Sequence, residues 1–257
     1  MGACGKGKGK EIMNILEVQN LEKRFGGLIA NRDISFSIEK GEIVGLIGPN
    51  GAGKTTLFNC IAGYYRPEKG KILFMGEDIT DQPPHETNIK GIARTFQVVE
   101  SGGDMSVREE IMVGAFCRIN SRREAERIAD EIVDFLGLNG VKDKMVAELP
   151  VAMQKRVGLA RAVATKPMLL LLDEVAAGLT SSEIDEMKRT LLGIKERWDL
   201  TIFLTEHVMK LVMELSHRVI VLDGGLKIAE GSPEEVSNNE DVIRAYLGER
   251  YAKGRTG

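Results

Sequence analysis

The stretch Gly-Leu-Ile-Gly-Pro-Asn-Gly-Ala-Gly-Lys-Thr-Thr over residues 45–56 constrains this chain more than any other. Gly48, four intervening residues, then Gly53, Lys54 and Thr55 complete the phosphate-loop pattern. Residues 42–47 form a short apolar run of strand length, and residues 57–62 continue at helical spacing until Gly63 stops them. An ordinary Gly-rich turn needs none of that context. Between a strand and a helix, such a loop converges backbone N–H groups on an anion, and the helix N-terminus adds its positive dipole end. Gly48, Pro49, Asn50, Gly51, Ala52, Gly53, Lys54, Thr55 and Thr56 are therefore the candidate nucleotide cradle. Lys54 would supply a point charge to the β and γ phosphates, and the Thr55 hydroxyl would ligate Mg²⁺.

A near match upstream shows what the pattern requires. Gly2, Gly7 and Lys8 have the right spacing, but Gly9 stands where Ser or Thr belongs and no strand precedes. Residues 1–11 read instead as a flexible basic tail. Myristoylation at Gly2 is excluded because Lys6 occupies the position that needs Ser or Thr. The net charge of −3 offers no general attraction to nucleic acid. Cys4, Cys60 and Cys117 are odd in number and lack metal-site spacing, which suits a reducing, cytosolic setting. The most apolar stretch, residues 163–177, is broken by Lys166, Asp173 and Glu174, so any work at a membrane needs other chains to span it.

Along the chain, residues 15–18, 33–38 and 71–74 read as strands of a β-rich front layer on the nucleotide strand. Residues 92–96 form another short apolar run, ending at Gln97. Between 104 and 138 the apolar residues recur at helical spacing, as two amphipathic helices joined by polar residues 120–123. Pro150 fits the first turn of a helix running through Arg161. Residues 168–172 and 200–204 are continuous apolar runs, Thr180 to Glu183 is a capping box, and residues 218–229 contain a hairpin. Apolar strands alternating with helices imply a mainly parallel sheet covered on both faces. The expected division is a core over 12–96 and 150–250, a helical subdomain over 97–149, and tails at 1–11 and 251–257.

The run Leu-Leu-Leu-Leu-Asp-Glu ending at Asp173 and Glu174 is the partner that a phosphate loop needs. A strand buried on both faces carries its carboxylates to the sheet edge where the loop lies. Asp173 can then hold Mg²⁺, while Glu174, one residue on, can polarise a water.

The order of phosphate loop, Gln97, helical insertion, the segment from Leu149 to Arg161, Asp173-Glu174, Ala177-Gly178-Leu179 and His207 resembles an ABC-transporter ATP-binding subunit. Arg-Thr-Phe-Gln at 94–97, Ala-Ala-Gly-Leu at 176–179 and Val-Ile-Arg-Ala-Tyr-Leu-Gly at 242–248 resemble the branched-chain amino acid transporter subfamily more narrowly. The resemblance covers about 15–247. It implies an α/β, P-loop NTPase (RecA-like) core with a mainly parallel sheet, an N-terminal antiparallel β layer and an inserted helical subdomain. It also implies ATP and Mg²⁺ as ligands, and adenine stacking by Phe25. Gln97 would sense Mg²⁺ and couple to the membrane subunit, and His207 would contact the γ-phosphate. Expected partners are transmembrane permease subunits and a second ATP-binding subunit, at the inner face of the cell membrane.

The departures are specific. The family's signature segment begins Leu-Ser-x-Gly-Gln, whereas here Leu149 is followed by Pro150, Val151, Ala152 and Met153. Pro150 has neither hydroxyl nor N–H, and Met153 cannot replace an amide. Losing a hydrogen bond to a charged group costs about 1.5–3 kcal/mol. Val175 replaces a usual Pro, Thr180 an Asp or Asn, and Ser101-Gly102-Gly103 an apolar pair. These changes favour a heterodimer with one hydrolytic site. They also leave a rival reading open, an ATP-binding regulatory or assembly protein with impaired hydrolysis and no transport coupling.

Overall fold

A computed structural model describes residues 13–95 and 104–253. The tail at 1–11, Gln97 and Ser101 to Gly103 lie outside the described residues. The chain opens with two long antiparallel strands, β1 (Asn14–Phe25) and β2 (Leu28–Glu39), joined through Gly26 and Gly27. They run well beyond the expected 15–18 and 33–38, because their polar outer residues interrupt the apolar run without interrupting the ladder. Between them come register shifts, and the hairpin is extended by β4 (Lys69–Phe74) and β5 (Glu77–Asp78) in the order β2-β1-β4-β5.

The second sheet has the order β10-β9-β3-β8-β7-β6. Strands β3 (Ile43–Ile47), β6 (Ile92–Arg94), β7 (Leu169–Asp173), β8 (Thr201–Thr205) and β9 (Arg218–Asp223) are parallel, and β10 (Leu226–Gly231) closes one edge antiparallel to β9. Every residue of β3, β7 and β8 is buried, as apolar runs covered on two faces require. One face packs on helix α1 (Lys54–Ile61) and the antiparallel layer, around Phe58, Phe203 and Leu57. The other face carries the larger core, built with α3 (Val107–Ala115), α4 (Arg122–Phe135), α5 (Val151–Ala164) and α6 (Ser181–Trp198).

Two short helices were not evident in the sequence: α2 (Pro84–Lys90) and α7 (Met209–Leu215). Each spans only seven residues, too few to establish an amphipathic period. Helix α8 (Pro233–Ser237) opens on a capping box of Ser232 and Glu235, and α6 on the expected one of Thr180 and Glu183. The last helix, α9 (Glu240–Lys253), runs on into the expected 251–257 tail. Pro150 is the residue that precedes the first turn of α5 rather than a member of it, with an extended ψ of 149°. Arg118 ties the helical layer to the core, its guanidinium donating to the carbonyls of Asn88 and Ile89 at the end of α2 and of Thr165 after α5.

Candidate nucleotide site

The phosphate loop turns sharply because two glycines have no room for a side chain. A Cβ at Gly48 would lie 2.1 Å from the Leu222 carbonyl oxygen, and one at Gly53, where φ is +98°, 2.3 Å from that of Ala30. The loop is thus clamped between the end of β9 and the start of β2. Lys54 begins α1 with its side chain folded back over the turn, its ammonium donating to the carbonyls of Gly48 at 2.6 Å and Pro49 at 3.0 Å. The positive charge is held inside the cradle, 8% exposed.

Around that cradle lies a cavity of about 310 Å³, lined by residues 50–56, Phe25, Glu174 and His207. Four distant segments of the chain therefore meet at one opening. Phe25, at the end of β1, is an exposed ring stabilised edge-to-face by Tyr65 at 5.2 Å, with the Lys23 ammonium 5.3 Å from its centroid. Its exposure is more than a core aromatic would keep, so the ring presents a face to whatever enters the cavity.

Asp173 ends β7 beneath the loop, only 5% exposed. One of its oxygens accepts from the Thr205 hydroxyl at 2.7 Å and the other from the Arg94 guanidinium at 2.7 Å. Glu174 follows in the left-handed region at φ +50°, unusual for a residue with a side chain. Two contacts fix that backbone: its N–H donates to the Thr205 carbonyl at 2.9 Å, and its carbonyl accepts from the Lys155 ammonium at 2.8 Å. The turn aims the Glu174 carboxylate away from Asp173 and onto the His207 ring, with 2.9 Å between Oε1 and Nε2. A strained, doubly held backbone at the end of a buried strand is a feature of functional sites.

A family model described as ABC transporter matches residues 31–177, more than half of the chain. A second, described as Branched-chain amino acid ATP-binding cassette transporter, matches residues 227–252. The chain belongs to the ABC-transporter ATP-binding family. It is 38% identical to BraF of Pseudomonas aeruginosa, named a high-affinity branched-chain amino acid transport ATP-binding protein, over 91% of this chain and 98% of that one. LivG of Escherichia coli, which carries the same description, gives the same identity and coverage. The lipopolysaccharide export ATP-binding protein LptB of Haemophilus influenzae is 34% identical over 93% and 99%. Among solved structures, the ATP-binding cassette MJ1267 of an ABC transporter superposes with a TM-score of 0.85 at 31% identity, covering 91% of this chain and 99% of that one. The chain is accordingly an ATP-binding cassette ATPase of the branched-chain amino acid transporter group. Among the described residues, no helix is long and apolar enough to cross a membrane.

In this cassette the donor set near the loop suits Mg²⁺. The Thr55 hydroxyl and the Asp173 carboxylate are hard oxygen donors, and Mg²⁺ is commonly held by one or two such groups plus phosphate oxygens. Among the described residues, no group of three or more His, Cys, Asp or Glu side chains forms a metal cage elsewhere. A carboxylate offers about four lone-pair positions, so Thr205 and Arg94 leave Asp173 acceptor capacity for a metal.

Three residues that sequence reasoning left without a role stand around the turn at Glu174. Arg94 was visible only as part of a motif. Lys155, half-buried in α5, reaches the Glu174 carbonyl, and desolvation holds its ammonium pKa below the usual lysine range. Glu206 follows β8, 2% exposed, with one carboxylate oxygen accepting from the Ala176 N–H at 2.7 Å and the other without a hydrogen-bond partner. Burial pushes its pKa up, against the pull of the Ala176 N–H and the Lys155 charge. Its position next to His207, at the end of the buried strand β8, was the one signal in the sequence that marked it.

Proposed function

We propose that this chain is the ATP-hydrolysing subunit of an importer for branched-chain or related amino acids, working as half of a pair of cassettes on permease subunits at the inner membrane face. The observation that carries the reading is the cavity in which Phe25, the phosphate loop, Glu174 and His207 converge. Phe25 stacks on the adenine. The loop amides, the dipole of α1 and the Lys54 ammonium hold the β and γ phosphates. Thr55 and Asp173, with Gln97 as the family resemblance implies, would hold Mg²⁺, which would supply positive charge to the phosphate oxygens. Glu174 takes a proton from the attacking water, and His207, hydrogen-bonded to its carboxylate, orients that group and contacts the γ-phosphate. The same reading divides the chain into a core over 12–96 and 150–250 and a helical subdomain over 97–149.

The permease contact is supported by a second cavity of about 460 Å³, between α2, β6 and the end of α3. Exposed Tyr64 and Ile89 and the exposed thiol of Cys117 line it, beside Arg94. It is an apolar groove at the junction of the core and the helical layer, suited to a short segment of another chain.

The heterodimer is favoured by the signature segment. Pro150 provides no side-chain cap to α5, and Met153 packs against the core instead of presenting a polar group. Two copies of this chain would weaken both shared sites, whereas an intact partner leaves one competent. The reading is tested by ATP turnover with the partner subunit present. Glu174→Gln should reduce kcat by about 10²- to 10⁴-fold, the usual contribution of a general base. Cooperative hydrolysis by the purified chain alone, at a rate that Glu174→Gln leaves unchanged, would refute it.

A further inference from the structure

Arg94 lines the groove and is ion-paired with Asp173, the residue before Glu174 of the nucleotide cavity. Its backbone lies in β6, paired with Leu171 of β7, and its side chain crosses beneath α1. At one end the guanidinium donates to Asp173 at 2.7 Å, and the pair is buried, the two side chains 8% and 7% exposed. A second guanidinium nitrogen donates to the Asn59 side chain on α1, the helix that starts at Lys54. On the other side the guanidinium carbon lies 5.9 Å from the centre of the Tyr64 ring, and both residues line the 460 Å³ groove. One cation therefore contacts the carboxylate that would hold the metal, the phosphate-loop helix, and the wall of the groove.

We infer that Arg94 is a positioning residue through which occupation of the groove reaches Asp173, by setting how tightly the guanidinium competes with a divalent cation for that carboxylate. This rests on the groove being where a permease segment docks. Two positive charges drawn to one buried carboxylate oppose each other. When the guanidinium is seated on Asp173, metal entry is disfavoured. When Tyr64 moves to admit a segment in the groove, the cation–π contact that helps seat the guanidinium is weakened, and Asp173 turns toward the metal. The arrangement makes nucleotide–metal engagement sensitive to docking without a contact between the docked segment and the nucleotide.

The test uses the isolated full chain with ADP, and Mn²⁺ as a paramagnetic stand-in for Mg²⁺. Half-saturating Mn²⁺ is read by the loss of its free-ion resonance, and ADP affinity in chelator serves as the control for folding. Arg94→Gln should lower half-saturating Mn²⁺ by about 3- to 10-fold with ADP affinity in chelator unchanged, since a like charge beside a metal site is worth roughly a decade. Tyr64→Leu leaves Arg94, Asn59 and Asp173 in place and removes the aromatic face beside the guanidinium. It should lower half-saturating Mn²⁺ in the same direction by about 2- to 5-fold. If Arg94→Gln fails to bind ADP in chelator, Tyr64→Leu alone decides. Wild-type Mn²⁺ dependence in Tyr64→Leu overturns the inference, whatever Arg94→Gln does. No permease is needed, so a docking site elsewhere would show separately, as failure of a permease to protect Cys117 from alkylation.

Discussion

Removing the Asp173 carboxylate alone should destabilise the chain far more than removing the whole ion pair, and the structure fixes the reason. At 2.7 Å and an effective dielectric constant of about 20, the attraction between Asp173 and Arg94 is about 6 kcal/mol. Taking the two ions out of water costs several kcal/mol each, so the intact pair contributes close to nothing net. Asp173→Ala leaves the Arg94 guanidinium buried and uncompensated, at a cost of about 3–5 kcal/mol. For a chain of this size each kcal/mol is worth roughly 2–4 °C in Tm, so the single variant should melt roughly 6–20 °C lower. The double variant Arg94→Met/Asp173→Leu replaces both ions by apolar groups and should recover most of the loss. What remains is the Thr205 hydroxyl, 1% exposed and deprived of its Asp173 acceptor, worth about 1–3 kcal/mol, together with the half-buried Asn59 oxygen that loses its Arg94 donor. Thermal denaturation in nucleotide-free, metal-free buffer isolates this term from catalysis. A double variant that melts no higher than Asp173→Ala would refute the account.

Three further outcomes follow from the same geometry. Gly53→Ala must place a Cβ 2.3 Å from a backbone oxygen at φ +98°, whereas at Gly51, with φ +79°, nothing lies within 4 Å. Nucleotide titration should therefore show Gly53→Ala losing binding while Gly51→Ala pays only strain of about 1–3 kcal/mol. Glu206 has a folded pKa above its ordinary 4.5, so between those values the folded state holds more protons than the unfolded one, and stability falls as pH rises through that window. Glu206→Gln keeps the acceptor for the Ala176 N–H and has no proton to lose. Its Tm should match wild type near pH 4.5 and exceed it at pH 8. Pro150→Ser restores a hydroxyl at the head of α5, and recovering a hydrogen bond to a charged group should tighten ATP-dependent self-association by about 10- to 150-fold, measured by sedimentation.

The parts of this molecule that a reader of the sequence can recover are those set by local chemistry. The loop from Gly48 to Thr55 announces itself because Gly48 and Gly53 have no room for a Cβ, and the all-buried β3, β7 and β8 do so because burial on two faces leaves apolar residues except at strand ends such as Thr201, Thr205 and Asp173. Thr180 and Glu183 mark the start of α6 by their reciprocal bonds. Helices α2 and α7 are too short to display a period, and their places are set by packing. The supports of the turn at Glu174 were illegible for a different reason. Lys155, Thr205 and Glu206 act on Glu174 and Ala176 through backbone atoms, and a backbone contact leaves no requirement in the sequence of the residue it holds. Arg94 is the intermediate case, a cation in a three-residue strand next to an acidic strand end, where only the parallel pairing of β6 with β7 brings the charges together. The half-site that sequence and structure describe is thus complete in its phosphate, carboxylate and histidine groups. The ion pair that links the groove wall to Asp173 joins residues of two separate motifs, and only the folded sheet shows that they meet.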